Sequence, residues 1–217
     1  MSVKTVEVKE YKKKSRAKEI WKRMKKNKAA MVGLVIICIF AFLAIFADVI
    51  ADYETMAVDQ NVRERLQGPS SEHWFGTDAY GRDVFARIIH GARVSLTIGL
   101  FSTSISVILG GIFGAAAGYY GGITDSIIMR IMDTIMCIPA LLLALAIVAA
   151  LGPGMINLLT AITIAQVPGF ARVIRSAILT VVGQEYVEAA KACGTYDSRI
   201  ILKHILPNAI GPIIVQA

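Results

Sequence analysis

Four long apolar stretches constrain this chain more than any other feature of its sequence. They are residues 29–47, 94–120, 127–151 and 155–171, and each is nearly free of charge. Their lengths are at or near the roughly 17–25 residues that a helix needs to cross a bilayer. The whole chain has 55% hydrophobic and 18% charged residues, whereas a soluble globular chain has about 25% charged residues. The pattern predicts an all-α, polytopic helical membrane protein. It excludes a soluble single-core enzyme, a disordered chain and a disulfide-stapled secreted module.

Positive charge is concentrated before the first apolar stretch. Residues 1–28 hold 12 of the 23 Lys and Arg residues but only 3 of the 16 Asp and Glu residues. A basic block can indicate nucleic-acid binding, but directly before a membrane span it is typical of the cytoplasmic flank. We therefore predict a cytoplasmic N-terminus and no nucleic-acid partner. Ile20, Trp21 and Met24 share one helical face among lysines, which predicts an interfacial helix on membrane lipid.

Successive spans cross the membrane in opposite directions, and this alternation predicts the domain organisation. Residues 1–28 are the basic cytoplasmic tail, 29–50 the first transmembrane helix and 51–93 an extracytoplasmic segment. Residues 94–217 form a membrane core with three spans, a cytoplasmic loop over 180–208 and the start of a fifth span. The first apolar run is longer than the 7–15 residues of a cleaved signal peptide, so we expect it to be retained. The protein is expected in the cytoplasmic (inner) membrane.

Small and polar residues inside the spans indicate how the helices pack. Gly110, Gly114 and Gly118 recur every four residues, which predicts a close helix–helix contact within the chain or with a partner. Arg130 and Asp133 are three residues apart and are expected to pair; the alternative is a substrate or ion ligand. Gln166, deep in the fourth span, is a second pathway candidate. Two further positions, Pro139 and Pro168, are expected to bend or break their helices.

The chain carries no recognisable set of catalytic residues. Its three cysteines form no CxxC pair, and its three histidines lack ligand spacing, so we expect no disulfide, metal site or cofactor. Nucleotide-cradle, zinc-protease and hydrolase motifs are absent from the sequence. We predict that the protein is not an enzyme and that any energy for its work comes from a partner.

The cytoplasmic loop is the most informative segment. Residues 184–192 are good helix formers, and Gly194 suits the left-handed residue that ends a helix. Asp197 is expected to cap a second short helix, which Pro207 prevents from continuing without a kink. This predicts a helix–turn–helix in which small alanines fit a groove on another protein, while Glu188 and Lys191 fix its orientation. An ordinary amphipathic connector is the alternative.

Several motifs resemble one known family. The series Glu188-Ala189-Ala190, Gly194 and Leu206-Pro207 resembles the EAA loop of ABC importer permeases, and His-Ile-Leu-Pro-Asn over 204–208 is typical of the dipeptide/oligopeptide/nickel branch. Residues 75–96 are similar to the outer segment of the C-type subunits in that branch. There, Thr77 or Asp78 is expected to cap an amphipathic helix through Ile89, forming a structural collar. The resemblance covers roughly residues 17–215.

The resemblance implies an importer with two homologous permease subunits, two cytoplasmic ABC ATPase subunits and an extracytoplasmic solute-binding protein. It implies a type I transmembrane domain with six spans, translocating di- or oligopeptides. The fifth span has only begun over 209–217, so we expect a chain truncated within it. The residues implied to couple to the ATPases are Glu188, Ala189, Ala190, Lys191, Gly194, Leu206 and Pro207.

Three alternatives to a peptide importer remain open at this point. The same branch includes nickel and other small-solute permeases. An ion-coupled secondary carrier would use Asp125, Arg130 and Asp133 as its relay, but such carriers often contain internal repeats, and none is visible here. A membrane scaffold without a transport role is the third.

Overall fold

The computed structural model describes residues 21–22 and 24–216. Most of the predicted basic tail, including Ile20, lies outside the described residues. Trp21 and Met24 of the predicted interfacial helix are helical, and the Lys25 ammonium lies 5.5 Å from the centre of the Trp21 ring. The chain divides into two compact units, Met1–Val94 and Ser95–Ala217, which are described separately below.

All the regular elements between Lys28 and Gln216 are helices or helical turns, with a loop over residues 65–83 and no β-strand among the described residues. The all-α prediction is therefore confirmed. Two π-helical turns, Tyr53–Val58 and Ile201–Ile205, and a 3-10 turn, Val62–Glu64, accompany the helices. The helices are α1 Lys28–Ile45, α2 Ala47–Ile50, α3 Val84–Tyr120, α4 Gly122–Met136, α5 Ala140–Leu151, α6 Met155–Leu179, α7 Glu185–Ala192, α8 Asp197–Ile200 and α9 Leu206–Gln216.

Three of the described helices, α1, α3 and α6, are long and apolar enough to cross a membrane. Helices α4 and α5 form a fourth candidate, a pair bent by 83°. The bend falls where the sequence predicts it, because Pro139 lies directly before α5 and supplies no backbone N–H to continue the helix. Pro168 behaves differently. It lies inside α6, which remains one helix and extends eight residues beyond the predicted end at residue 171.

In the first unit, α1 begins at Asn27, whose side-chain oxygen accepts hydrogen bonds from the backbone N–H groups of Ala29 and Ala30. Helix α1 is apolar and mostly exposed, as a helix that faces lipid requires. Arg93 ties the start of α3 to the end of this span. Its guanidinium donates to the backbone oxygen of Ala44 at 2.8 Å and to the Asp48 carboxylate at 2.9 Å.

The predicted cap of the outer helix is wrong. Asp83, rather than Thr77 or Asp78, caps α3, because its carboxylate accepts the backbone N–H of Ala86 at 2.8 Å. Helix α3 then continues without interruption to Tyr120, so no separate amphipathic helix ends at Ile89.

Thr77 and Asp78 instead organise the loop before α3. The Thr77 hydroxyl donates to the backbone oxygen of Glu64, and Asp78 accepts from the guanidinium groups of Arg82 and Arg87 at 2.8 and 2.5 Å. Burial raises the pKa of Asp78, but hydrogen bonds from the Arg82 side chain and from two backbone N–H groups outweigh that effect. The net result is a pKa well below the ordinary value of 3.8.

In the second unit, α6 provides the face on which the loop over residues 180–208 packs. Ile174 and Ile178 of α6 are fully buried, and so are Val187, Ile200 and Ile205 from the loop, all in one apolar cluster. Each fully buried aliphatic side chain contributes on the order of 1.5–3 kcal/mol. The loop is therefore held against the membrane core rather than hanging free of it.

Candidate functional site

The first candidate site is the helical hairpin formed by α7, Gly194 and α8, which we call the coupling hairpin. Helix α7 ends where Gly194 adopts a φ of +72°, the left-handed conformation predicted from the sequence. Backbone N–H groups of Gly194 and Thr195 donate to the carbonyls of Lys191 and Ala190, at 2.9 and 3.1 Å. A glycine in this position satisfies the last carbonyls of α7 and turns the chain toward α8.

The coupling hairpin has a buried face and an exposed face. Val187 is completely buried and Ala190 is half-buried against the apolar cluster. Glu188, Ala189 and Lys191 are exposed. The period of 3.6 residues separates these two sets, so the apolar contacts fix the hairpin while the exposed set stays available to another molecule.

Tyr119, near the inner end of α3, contacts both arms of the coupling hairpin. Its hydroxyl donates a 2.7 Å hydrogen bond to the Asp197 carboxylate, and the Lys191 ammonium lies 4.8 Å from the centre of its ring. Asp197 was predicted to cap α8, and that prediction is wrong: the cap position is Tyr196, and the Asp197 side chain makes no cap hydrogen bond. A tyrosine 78 residues away competes successfully for the carboxylate.

The Leu206-Pro207 pair lies where α9 begins. Chain continuity is kept through α8, the π-helical turn Ile201–Ile205 and α9. Pro207 lies just after the π-helical turn and lacks the backbone N–H that a regular α-helix would use at that position. The distortion predicted at this proline therefore takes the form of a π-helical turn rather than a break. Leu206 packs partly buried against the cluster that anchors the hairpin.

The three glycines at four-residue steps lie against α6. A Cβ atom on Gly110 would lie 2.6 Å from the Cβ of Phe170, and one on Gly114 would lie 2.5 Å from the backbone oxygen of Ala171. A Cβ on Gly118 would lie 3.0 Å from the Ile178 side chain. These spacings leave no room for a side chain, so the backbones of α3 and α6 touch along this stripe.

Charged residues of α4 and α6 form two ion pairs, which we call the inner pair and the outer pair. In the inner pair, Arg175 donates to both carboxylate oxygens of Asp125, at 2.5 and 2.6 Å. In the outer pair, Arg172 donates to one oxygen of Asp133 at 2.7 Å.

The predicted pairing of Arg130 with Asp133 is therefore wrong. Arg130 is exposed and has no ion pair among the described residues. The neighbouring helix supplies an arginine that reaches Asp133 directly, and this contact between helices replaces the local one.

The remaining pathway candidate, Gln166, lines a separate open cavity of about 380 Å³. Thr103 of α3, Met136 of α4 and Gln216 of α9 line the same cavity. Gln166 thus lies beside polar groups from two other helices, although it is not in contact with Arg130 or Asp133. Sequence reasoning missed both Arg172 and Arg175 as partners of the acidic residues, because nothing local identifies partners 39 and 50 residues away.

Comparison with known proteins places this architecture in a family. Residues 87–217 match the family described as "Binding-protein-dependent transport system inner membrane component". Residues 15–69 match the family described as "N-terminal TM domain of oligopeptide transport permease C".

Individual relatives agree with the family match. The chain is 50% identical, over 92% of its length, to the dipeptide transport system permease protein DppC of Alkalihalophilus pseudofirmus. It is 41% identical to DppC and 40% identical to the oligopeptide transport system permease protein OppC of Bacillus subtilis, over 93% and 90% of its length. The chain spans 65%, 62% and 65% of the lengths of these three relatives. It therefore belongs to the family of inner membrane components of binding-protein-dependent transport systems.

Proposed function

We propose that the chain is the transmembrane permease subunit of an ATP-driven ABC importer that carries di- or oligopeptides across the cytoplasmic membrane. Its partners in this proposal are a second homologous permease subunit, two cytoplasmic ABC ATPase subunits and an extracytoplasmic solute-binding protein. Family membership and the multi-pass helical fold support this role. The basic flank before α1 supports a cytoplasmic N-terminus, with the coupling hairpin on the same side.

The observation that carries the proposal is the two-faced coupling hairpin. Its apolar face is buried against α6, and its exposed face presents Glu188, Ala189 and Lys191 to the cytoplasm. A rigidly anchored surface of this kind transmits displacement, because it cannot move without moving the helices on which it packs. The sequence contains no nucleotide-binding motif, so ATP hydrolysis is assigned to the partner subunits.

The coupling must act in both directions. If nucleotide binding to the ATPases changes the affinity for solute-loaded binding protein outside by some factor, then solute loading outside must change the affinity for nucleotide inside by the same factor. Peptides are the proposed solutes because the relatives are named as dipeptide and oligopeptide transport proteins.

The proposal is tested at Gly194 in the complete importer, reconstituted in lipid vesicles. Gly194→Val places a β-branched residue at a φ of +72°, which such residues strongly disfavour. Gly194→Asn is the matched control, because asparagine tolerates the left-handed region. A Cβ at this position meets no atom within 4 Å, so the two variants differ in backbone strain rather than in packing.

We expect Gly194→Val to lose most of the stimulation of ATP hydrolysis by peptide-loaded binding protein, while Gly194→Asn retains it. ATP-driven uptake of a labelled dipeptide should fall in parallel. Equal stimulation in both variants of a fully assembled importer would contradict the role of the hairpin. Uptake that survives without ATPase subunits would contradict the function itself.

A further inference from the structure

The two ion pairs between α4 and α6 differ in their number of hydrogen bonds and in the exposure of their side chains. In the inner pair both oxygens of Asp125 are bonded, and the Asp125 and Arg175 side chains are only 21% and 30% exposed. In the outer pair a single hydrogen bond joins Arg172 to Asp133, and their side chains are 52% and 58% exposed. The inner pair locks the two helices together, whereas the outer pair keeps much of its bonding capacity free.

The outer pair lies toward one end of the two predicted spans, because Asp133 is six residues inside the apolar stretch 127–151 and Arg172 directly follows the stretch 155–171. A charged side chain that faces lipid is costly, by about 2.5–3.5 kcal/mol at the centre of the bilayer. The half-exposed charges of the outer pair therefore favour a space that is open to water over a lipid-facing surface.

The structure contains such a space. An open cavity of about 350 Å³ is lined by both ion pairs together with Ser126 and Met129. The cavity lined by Gln166 lies along the same two helices, since Met136 and Gly169 are each three residues from a member of the outer pair. Polar cavities thus follow one another along the α4 and α6 seam.

We propose that Arg172 and Asp133 form a transient binding site for the two charged ends of a peptide. Arg172 receives the terminal carboxylate, because a guanidinium presents a planar fork of donors that matches a carboxylate. Asp133 receives the terminal ammonium. This inference rests on the proposed function and adds to it the residues that recognise the peptide's ends during its passage.

The hydrogen bond within the outer pair explains why such a site would suit a transport pathway. A peptide must displace the Arg172–Asp133 hydrogen bond before it gains its own, so its net affinity is low. A transport pathway requires binding that is favourable enough for entry and weak enough for release. When no peptide is present, the two charges neutralise each other and the cavity is not left with an unpaired ion.

The test uses the complete importer in lipid nanodiscs, without binding protein or nucleotide, and ligand-observed NMR of three probes. The probes are dialanine, its C-terminal amide and N-acetyl dialanine. The wild-type protein should bind dialanine at least about tenfold more tightly than the amide, because only the free carboxylate accepts charge-assisted hydrogen bonds from Arg172. Arg172→Gln should bind the two equally.

Asp133→Asn provides the second part of the test. This change releases Arg172 from its internal partner, so N-acetyl dialanine, which keeps only the carboxylate, should bind more tightly than to the wild type. A purely structural ion pair predicts no such gain. Arg130→Gln is the matched control, because Arg130 lies less than one turn from Asp133 on α4 and has no ion pair among the described residues. It should retain the wild-type preference.

Equal binding of dialanine and its amide by the wild type would overturn the inference. So would an unchanged preference in Arg172→Gln, or an equal loss in Arg130→Gln. ATP-driven dialanine uptake by the wild type is measured in parallel. Uptake without any dependence of binding on Arg172 overturns this inference alone, whereas absence of ATP-driven uptake overturns the proposed function.

Discussion

The hydroxyl of Tyr119 and the carboxylate of Asp197 form a 2.7 Å hydrogen bond that joins the inner end of the second span to the second arm of the coupling hairpin. The Lys191 ammonium, from the first arm, lies against the ring of the same tyrosine. The Tyr119 side chain of α3 is therefore in contact with both arms of the coupling hairpin. The hairpin is connected to the spans by polar contacts as well as by its buried apolar face.

Tyr119→Phe should weaken this connection while keeping the ring that contacts Lys191. We expect the stimulation of ATP hydrolysis by loaded binding protein to fall about threefold to tenfold, since the lost hydrogen bond contributes on the order of 1 kcal/mol. Stimulation is measured in the reconstituted importer. Tyr120→Phe is the control, because the Tyr120 hydroxyl makes no hydrogen bond among the described residues; equal effects of the two changes would contradict the prediction.

Gly110→Ala should separate α3 from α6. Its new Cβ would lie 2.6 Å from the Phe170 Cβ, and overpacking of this kind costs about 1–3 kcal/mol in the free energy of unfolding. The control is Gly111→Ala, whose Cβ meets its nearest neighbour, the Ile174 side chain, at 3.8 Å. Both changes alter helix propensity equally, so the difference in thermal stability isolates the contact. Equal stabilities would show that the helices are not packed this closely.

Asp78 makes the loop before α3 sensitive to strong acid only. Its pKa is lowered in the folded protein, so its contribution to stability is fully present above the unfolded value of 3.8 and is lost as the pH falls through the folded value. The protection factors of the loop amides, which compare their exchange rates with those of an unfolded chain at the same pH, should therefore change little between pH 7 and about pH 4. Asp78→Asn should accelerate exchange at pH 7, with a cost of about 1–3 kcal/mol.

The control for Asp78 is Asp59→Asn, because Asp59 is exposed and, among the described residues, its carboxylate accepts a hydrogen bond only from the N–H of Gln60. That variant should exchange like the wild type at pH 7. A loop that loosens steeply between pH 7 and pH 5 would contradict the assignment of its acid sensitivity to Asp78.

Asp83 holds the start of α3 through two contacts, the cap to Ala86 and a 2.8 Å hydrogen bond with the His73 ring. Asp83→Ala should expose the first turn of α3 to hydrogen exchange, because loss of a cap costs about 0.5–2 kcal/mol and the part-buried His73 ring nitrogen loses its partner. Asp83→Asn keeps an oxygen for the cap and should cost less. Matching exchange in the two variants would argue against capping.

The long spans were predictable because burial in lipid selects apolar residues over a whole helix. The ends of these spans were harder to predict. Helix α3 begins ten residues before the apolar stretch, at Val84, because Arg87, His90 and Arg93 find partners in the preceding segment and so extend the helix with polar residues. Helix α6 passes residue 171 for the same reason, with Arg172 and Arg175 paired to α4.

Backbone conformation that depends on a single residue could be predicted, whereas the partners of polar side chains could not, because groups from distant parts of the chain compete with local ones. The left-handed Gly194 follows from local chemistry, since few other residues adopt that conformation. Local spacing also favoured Arg130 as the partner of Asp133, but the packing of α6 on α4 brings Arg172 closer. Tyr119 carries no local sign of its role, because Asp197 meets it only once the hairpin has folded back on α3.

The junction of α8, the π-helical turn Ile201–Ile205 and α9 contains no loop. A loop would absorb rotation, whereas hydrogen-bonded turns bend stiffly. The second arm of the hairpin is therefore continuous with α9, whose Gln216 lines the Gln166 cavity. In the importer proposed above, displacement of the hairpin by an ATPase is expected to move α9 and to change the dimensions of this cavity.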